Sequence, residues 1–367
     1  MASGGDSFAT YVDMLRAFHT RRFAAARESI EQENRAVPPP PPPLETPTAS
    51  PPPRATNLAD DRNQSLINSL RSAALTPQET ETCLQSLTSV MTSSEDEDAA
   101  LFQEVISEFN GSELQRMASL LTSNNDHYFL EIARNKNGSI RLHKLLGKSD
   151  DADTFFLASI LRHFLHVMTD KHAAYLATQG MRVFSHEKRM AMRDQLLYHA
   201  VPLACDRYGC VALNAIISDV AFAYCRNDLH DVIASKACLL SFDAYGNFVV
   251  QHVLKLNILR RTYDIAVSLR RHYVELSFTH KGRYVVGKLL EREETRVLVV
   301  AELLECESDK LVRLATSMYG NFVVFTALKV TRGDSFRALV NKLKPSLRLL
   351  RRSHRSITIA EILESVR

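Results

Sequence analysis

Hydrophobic residues recur at the three- and four-residue spacing of amphipathic helices along the chain from about residue 99 onward. The segment 247–256 is typical, and its apolar positions fall on one helix face: Val249, Val250, Val253 and Leu254. Two polar residues of this segment, Asn247 and Gln251, lie four positions apart and are therefore neighbours on another face. The pattern predicts a chain of helices, in which this one packs its apolar face inward and carries a polar pair elsewhere.

This pattern is repeated along the chain. The stretch Tyr-Gly-Asn-Phe-Val-Val occurs at 245–250 and again, letter for letter, at 319–324. Weaker copies stand at about half that separation, so the residue after the glycine-like position is found at 139, 174, 210, 247, 283, 321 and 355. A fixed period of about 36 residues is typical of a solenoid, in which each repeat contacts only its neighbours. We therefore expect an all-α superhelical solenoid of three-helix repeats.

Each repeat carries the same series of local signals. A short first helix ends in Leu-Ala or Leu-Ser, as at 203–204 and 240–241. The next turn holds an acidic residue and a glycine, such as Asp243 and Gly246, because a carboxylate can accept from free N–H groups and glycine permits close backbone approach. A second helix of about ten residues carries the polar pair, and a third, more charged helix such as 260–272 completes the unit.

Order is predicted to begin near Ala99, before the first copy of the repeat. Apolar spacing indicates one helix through 101–109 and a second through 114–121. Neither helix contains the repeat motif. We interpret the pair as the N-terminal cap, which a stacked array needs because an open end would expose its core.

The chain before residue 99 has a different composition. Eleven of the thirteen prolines precede residue 78, and residues 31–98 are predicted to form a proline-rich, disordered linker that ends in the acid run 95–98. The prolines indicate a semi-rigid spacer or, alternatively, a ligand for an SH3-like or WW-like domain. Residues 1–30 can form an amphipathic helix, either a partner-binding helix or a targeting presequence, although Asp6, Asp13 and Glu28 argue against the latter.

Charge is divided between the two parts of the chain. Residues 1–125 contain no lysine and carry a net charge of −8, whereas residues 126–367 carry +11. A basic repeat array suits a polyanionic partner, although the need for solubility would also account for part of the excess.

Several classes of protein are disfavoured by what the sequence lacks. The six cysteines form no Cys-x-x-Cys pair and no secretory leader is evident, which favours reduced thiols and a cytoplasmic protein, with nucleus or organelle as alternatives. No apolar run of about 18 residues occurs, so no membrane span is expected. Without a phosphate-binding loop, a metal-ligand spacing or a nucleophile signature, we expect no enzyme activity, no cofactor and no metal.

In most copies of the repeat an aromatic residue follows the first polar position of the second helix. These residues are Tyr175, Phe248, Tyr284 and Phe322. Stacked at the repeat period, they would line one concave surface with rings beside paired polar groups, which suits single-stranded nucleic acid because bases stack on aromatic rings. The alternative is that these side chains only pack between repeats, as in HEAT or armadillo solenoids.

The stretch Ser-Phe-Asp-Ala-Tyr-Gly-Asn-Phe-Val-Val-Gln-His-Val-Leu at 241–254 resembles the core of a PUF (Pumilio-homology) repeat, and the resemblance covers about 99–367. It implies a right-handed crescent in which each repeat contacts one RNA base. The first and fifth residues of a five-residue motif bind the base edge, and the second stacks between bases. At 247–251 these roles fall on Asn247, Gln251 and Phe248, and the Asn/Gln combination implies uracil.

The other copies match this pattern less completely. Asn321 and Phe322 keep the first and stacking positions of the motif, but Phe325 stands in the fifth position. Cys210 with Asn214 resembles the adenine-type Cys/Gln pair of the family, with a side chain one methylene shorter in the fifth position. The resemblance therefore implies base contacts at both copies, each of them weaker than at 247–251.

The copies at 139, 174 and 283 depart from the motif in other ways. Ser139 with His143 resembles the first repeat of the family, and Tyr175 is a stacking residue whose neighbours offer little edge recognition. Arg283 and the stacking residue Tyr284 stand where family members that recognise a UGU element have Ser-Asn, with a Glu in the fifth position. Arg283 either contacts phosphate or a base acceptor, or is a surface residue, and both alternatives stay open.

The resemblance extends to the organisation of the whole array. Six base-facing repeats are present, against eight in typical members, and the copy at 355–356 resembles the C-terminal cap; shortened members of this kind are similar to ones found in plants. The resemblance implies binding of single-stranded mRNA at 3′-untranslated regions and control of mRNA stability or translation through recruited proteins. We expect a monomer with no catalysis of its own. The alternatives are a non-specific RNA-binding protein in ribosomal RNA processing and a protein-binding adaptor without RNA.

Overall fold

The computed structural model describes residues 56–72 and 75–366, so the predictions for residues 1–30 and for the proline runs lie outside the described residues. Every regular element in these ranges is a helix. In chain order the helices are α1 (Thr56–Arg71), α2 (Pro77–Thr92), α3 (Asp96–Glu108), α4 (Gly111–Leu121), α5 (His127–Arg134), α6 (Lys136–Leu145), α7 (Asp150–Arg162), α8 (Phe164–Met168), α9 (Ala173–Val183), α10 (His186–Tyr198), α11 (Ala200–Ala204), α12 (Gly209–Ser218), α13 (Ala223–Ser235), α14 (Ala237–Phe242), α15 (Gly246–Lys255), α16 (Leu259–Ser268), α17 (Tyr273–Ser277), α18 (Gly282–Leu290), α19 (Glu293–Glu305), α20 (Ser308–Thr316), α21 (Gly320–Val330), α22 (Gly333–Leu343), α23 (Leu347–Arg352) and α24 (Ile357–Ser365).

Helices α5 to α22 form six consecutive units of three helices. The second helices of successive units pack side by side, and they continue into α2 at one end and α24 at the other. We call this row α2, α6, α9, α12, α15, α18, α21 and α24 the motif layer. The third helices form a parallel row, the third-helix layer: α4, α7, α10, α13, α16, α19 and α22. Each unit contacts its neighbours in both rows, which confirms the predicted all-α solenoid.

Short side-chain acceptors start the helices of the motif layer. Asp206 Oδ1 accepts from the backbone N–H groups of Tyr208 and Gly209, both at 2.8 Å. Thr279 and Ser317 supply a hydroxyl acceptor at the same place in the units of α18 and α21. Because a helix start leaves its first N–H groups without intrahelical partners, these acceptors explain why each unit turns at the same position.

Glycine at the start of the motif helices is required by close packing. A Cβ atom on Gly209 would lie 2.5 Å from the carbonyl oxygen of Leu203 in α11, and one on Gly282 would lie 2.5 Å from that of Leu276 in α17. These distances are too short for carbon and oxygen atoms that are not bonded. The predicted close backbone approach therefore occurs between the first and second helices of a unit.

A disordered linker was predicted over residues 31–98, but the structure has helices at Thr56–Arg71 and Pro77–Thr92 and begins α3 at Asp96. Thr76 forms a capping box with Glu79 and Pro77 occupies the first turn of α2, so the start of this helix is well specified. The buried face of α2 repeats at helical spacing: Cys83, Leu84, Leu87, Thr88, Val90 and Met91. The acid run 95–98 opens α3, where negative side chains at a helix N-terminus are favourable.

The N-terminal cap is consequently larger than the two helices that the sequence predicted. Helix α2 packs against α6 as a motif helix would, and α1 packs on α2 and α4. Arg141 of α6 is buried and donates hydrogen bonds to the carbonyl oxygens of Met91 at 2.9 Å and Ser93 at 2.7 Å. The free carbonyl groups at the end of α2 are thus satisfied by the first repeat, which ties the cap to the array.

The described ranges hold no cluster of three or more His, Cys, Asp or Glu side chains placed to bind a metal ion. Among the same residues no single helix is long and apolar enough to cross a membrane. Two sharply bent helix pairs reach the length and apolar composition of a membrane span only when their helices are taken together: Gly209–Ser218 with Val220–Ser235, and Ser308–Thr316 with Gly320–Val330.

Candidate nucleic-acid interface

The motif layer brings together the polar pair that the sequence placed one turn apart. In α15 the Gln251 Nε2 atom donates a hydrogen bond to Asn247 Oδ1 at 3.0 Å. The two side chains are only 3% and 1% exposed, respectively, and Phe248 beside them is half-buried. The three residues predicted to recognise one base therefore form one contiguous set.

The nitrogen of the Asn247 amide is committed to the turn before α15. It donates to the carbonyl oxygens of Asp243 at 2.9 Å and Ala244 at 3.0 Å. Asp243 itself accepts from the backbone N–H groups of Gly246 and Tyr245, both at 2.8 Å. Burial raises the pKa of the Asp243 carboxyl, but the backbone donors outweigh burial and hold that pKa below its usual value. The turn therefore fixes Asn247 with its amide oxygen toward Gln251.

Asn321 in α21 is anchored in the same way. Its Nδ2 atom donates to the carbonyl oxygens of Ser317 at 2.7 Å and Met318 at 3.2 Å. Phe322 is 54% exposed, so part of its ring remains accessible to solvent. Phe325 is half-buried in the fifth position and supplies no hydrogen-bonding group there. This repeat therefore keeps the aromatic ring and the asparagine bonded to the turn, but it lacks the second polar residue of the pair.

In α12 the first and fifth positions are both buried. Cys210 Sγ donates to the carbonyl oxygen of Arg207 at 3.3 Å. Asn214 lies one turn on, and its Oδ1 atom is buried without a hydrogen-bond partner among the described residues. Because an unsatisfied buried acceptor is costly, this oxygen is a candidate for accepting a hydrogen bond from a ligand.

The first two repeats use their motif residues differently. Ser139 of α6 is buried and its Oγ atom donates to the carbonyl oxygen of His172 at 2.8 Å, so it joins the first repeat to the turn of the second. His143 in the fifth position is exposed. In α9, Ala174 is buried and Tyr175 is half-buried, so the ring is the more accessible of these two motif side chains.

Arg283 packs against aromatic rings of its own repeat and of the next one. Its guanidinium carbon lies 4.5 Å from the centroid of the Tyr284 ring and 4.5 Å from that of the Phe322 ring in the next repeat. One of its terminal nitrogens donates to the Tyr284 hydroxyl oxygen at 2.6 Å. Arg283 is half-buried rather than a freely exposed surface residue. The guanidinium is therefore packed over both rings.

Two residues that the sequence did not single out complete this cluster. Tyr319, in the turn before α21, has its ring centroid 5.5 Å from the Arg283 guanidinium. His280 contacts the ring edges of Tyr319 and Tyr284, with centroid distances of 5.3 Å and 5.8 Å. Tyr319 was visible in the sequence as the first letter of the repeated hexapeptide, but no local pattern indicated His280.

Comparison with known proteins identifies the family. No family model matches the chain. Pumilio homolog 20 of Arabidopsis thaliana is 52% identical over 354 residues, covering 95% of this chain and 99% of the relative, and Pumilio homolog 18 of the same plant is 54% identical over 269 residues, covering 72% and 82%.

Solved structures agree in fold at much lower sequence identity. The Puf4 RNA binding domain, bound to an HO endonuclease RNA 3′ UTR recognition sequence, aligns with a TM-score of 0.62 at 19% identity, over 83% of this chain and 95% of that one. The PUM-HD domain of S. pombe Puf1, in complex with RNA, aligns with a TM-score of 0.59 at 17% identity, over 96% and 93%. Given the plant relatives and the repeat architecture, the chain belongs to the pumilio (PUF) family, as its sequence motifs predicted.

Proposed function

We propose that this protein binds single-stranded RNA along the motif layer and selects its target by base identity. The family membership supports the proposal, since the PUF domains of Puf4 and yeast Puf5p have been solved with RNA bound. The basic repeat array, with a net charge of +11 over residues 126–367, suits the phosphate backbone.

The observation that carries the proposal is the arrangement of Asn247, Phe248 and Gln251. Phe248 stands beside the polar pair and is less buried than either amide. Here the ring offers a face to a base, and the two amides offer hydrogen-bonding groups to its edge. Recognition of one base needs these two kinds of contact.

The fixed orientation of Asn247 favours uracil over cytosine and adenine at this repeat, because the ring nitrogen at the edge of those two bases accepts a hydrogen bond and does not donate one. Its nitrogen is occupied by the turn, so the side chain presents an acceptor oxygen, and Gln251 beside it presents a donor nitrogen. Uracil carries an N3–H donor next to carbonyl acceptors, and it can exchange the internal amide–amide bond for one bond to each side chain. The pair is thereby satisfied in both the free and the bound state.

The target we propose is an element in the 3′-untranslated region of messenger RNA. Binding there would regulate mRNA stability or translation in the cytoplasm through recruited proteins, and the chain itself, acting as a monomer, would supply no catalysis. The support is again the family: Puf4 and Puf3 RNA binding domains have been solved on RNA 3′ UTR recognition sequences.

A protein partner on the third-helix layer is favoured by a separate observation. On α16 the apolar residues Leu259, Tyr263 and Val267 are 61%, 51% and 42% exposed, and they stand four positions apart on one face. An exposed apolar row of this kind is unusual on a soluble surface unless it contacts another molecule. An adaptor role would use this row together with the RNA-binding surface.

Selection from a random RNA library by the full-length chain, at near-physiological salt, tests the proposal. Enrichment of a short motif with a fixed uracil is the expected result. Retention of RNA without an enriched motif would support non-specific binding instead. If no RNA is retained even at low salt, RNA binding is excluded, and the apolar row of α16 becomes the surface to test with protein partners.

A further inference from the structure

The space between the rings of Tyr284 and Phe322 is already filled in the free protein. These rings belong to the stacking positions of consecutive repeats, α18 and α21, and the Arg283 guanidinium lies 4.5 Å from both centroids. We call this space the Tyr284–Phe322 slot. Under the proposed function, a base recognised by α18 would have to stack in this slot.

The guanidinium is held in the slot mainly by the two ring faces. Its hydrogen bond to the Tyr284 hydroxyl fixes one terminal nitrogen, while its Nε atom is buried without a hydrogen-bond partner among the described residues. A planar guanidinium stacks on aromatic faces as a base does, and it is weakly hydrated, so it tolerates this environment better than an ammonium group would. His280 packs edge-on against the Tyr284 and Tyr319 rings at the border of the slot.

The fifth position of the same helix offers nothing to a base edge. It is Gly287, and a methyl group placed there would meet no atom within 4 Å. In α15 the corresponding position holds Gln251, which provides a donor next to Asn247. Repeat α18 therefore has neither an empty stacking slot nor a side chain to recognise the base that would enter it.

We propose that Arg283 takes the place of a base in the Tyr284–Phe322 slot, so that bound RNA passes this repeat with one nucleotide unstacked and unrecognised. This inference rests on the proposed function. It predicts a gap in the target motif beside the uracil selected by α15. The gap arises from a side chain that occupies the site, rather than from a missing repeat.

The test uses the full-length chain and the RNA motif that it selects. The nucleotide bound by α15 is located as the one whose base preference is lost in Gln251→Ala. An abasic nucleotide is then placed at each neighbouring position on either side. The wild-type protein should tolerate it within about two-fold at the position facing α18, and lose on the order of 5- to 100-fold at positions where a base stacks.

Arg283→Ala should reverse the tolerance, because the emptied slot then accepts a base and the abasic nucleotide becomes costly there. Arg260→Ala removes one charge from an exposed side chain of α16 and should leave the wild-type pattern, as a control for charge. If wild type loses as much at the α18 position as elsewhere, or selects guanine there in an Arg283-dependent manner, the proposal is overturned. If neither protein binds any RNA, the proposed function fails first; binding by wild type makes its abasic pattern decisive even if Arg283→Ala does not fold.

Discussion

The side-chain amide of Asn247 makes hydrogen bonds both to the backbone of the preceding turn and to the side chain of Gln251. Its nitrogen holds the turn before α15, and its oxygen accepts from Gln251. Asn321 makes the same two turn contacts without a glutamine one turn along. A structural role therefore explains the asparagine in both repeats. Gln251 is the residue that distinguishes α15, and the proposed base recognition by this helix depends on it.

Replacing Gln251 by alanine should reduce base discrimination at one nucleotide of the target. The substitution removes the donor nitrogen and leaves the turn contacts of Asn247 intact, so the helix start is preserved. Gln251 supplies one bond of the proposed contact, so the expected loss of discrimination is about 0.5–1.5 kcal/mol, the range for a single hydrogen bond. Binding of RNAs with each of the four bases at every position measures it.

Phe248→Ala is the matched comparison for that experiment. Loss of the ring should lower affinity for all sequences by about 1–3 kcal/mol without changing the preferred base, since every base has a stacking face. A Gln251→Ala protein that ranks all bases as wild type does would contradict the role of the amide. An unchanged affinity of Phe248→Ala would mean that the ring serves only the packing of the array.

Glycines in the motif helices are expected to differ sharply in their tolerance of a methyl group. Gly209→Ala places Cβ 2.5 Å from the Leu203 carbonyl oxygen, so the first and second helices of that unit must separate, at a cost of about 1–3 kcal/mol. Gly287→Ala meets no atom within 4 Å in the interior of α18, where alanine favours the helix by about 0.5–1 kcal/mol. The melting temperature should fall in Gly209→Ala and rise in Gly287→Ala. Equal destabilisation of the two variants would contradict this account.

The sequence predicted the polar set of α15 because its members are close along the chain. Asn247, Phe248 and Gln251 are placed by one helix, so a spacing rule suffices. Arg283 could not be interpreted in this way. Its environment depends on Phe322, a residue 39 positions away in another repeat, and on the conformation of a long side chain, neither of which appears in a local pattern.

At the scale of elements, α2 is expected to be essential to the folded array. Its removal would expose the packing surface of α6 and leave Arg141 without the carbonyl oxygens of Met91 and Ser93. Fully burying one large apolar side chain contributes about 1.5–3 kcal/mol, and α2 buries several of them, which is comparable to the stability of a whole domain.

A fragment of residues 96–367 should accordingly melt at a lower temperature than a fragment of residues 56–367, or aggregate on purification. The fragments differ by α1 and α2 and contain the same repeats, so circular dichroism during heating isolates the contribution of these two helices. Equal melting temperatures would show that α1 and α2 are dispensable and that a folded domain can begin near residue 99, as the sequence predicted.

The repeats were predictable as elements and the start of the cap was not, for one physical reason. A repeat is identified because its motif recurs elsewhere in the chain. Helix α2 has no such copy and lies in a polar segment next to a proline-rich one. The local signals were nevertheless present: Thr76, Pro77 and Glu79 form a helix start, and apolar residues follow at helical spacing. The composition of the surrounding segment outweighed them in the prediction.

At the scale of the whole molecule, the period of about 36 residues was enough to predict the fold, because in a solenoid each unit contacts only its neighbours. The distribution of charge is a property of the same scale, since it sums over many repeats. The net charge is −8 over residues 1–125 and +11 over residues 126–367, so the basic region coincides with α5 to α24. A polyanionic ligand is therefore attracted to the array rather than to the cap.

RNA affinity should fall steadily as salt is raised, since the array would displace counterions from the phosphates that it contacts. For single strands the slope of log affinity against log salt is about −0.7 per phosphate neutralised. A ligand that follows six repeats should therefore give a slope of roughly −2 to −4 between about 50 and 200 mM salt. Arg260→Ala, which alters the third-helix layer, should leave the slope unchanged. A slope near zero would mean that the positive charge of the array serves solubility, and that base contacts alone supply the affinity.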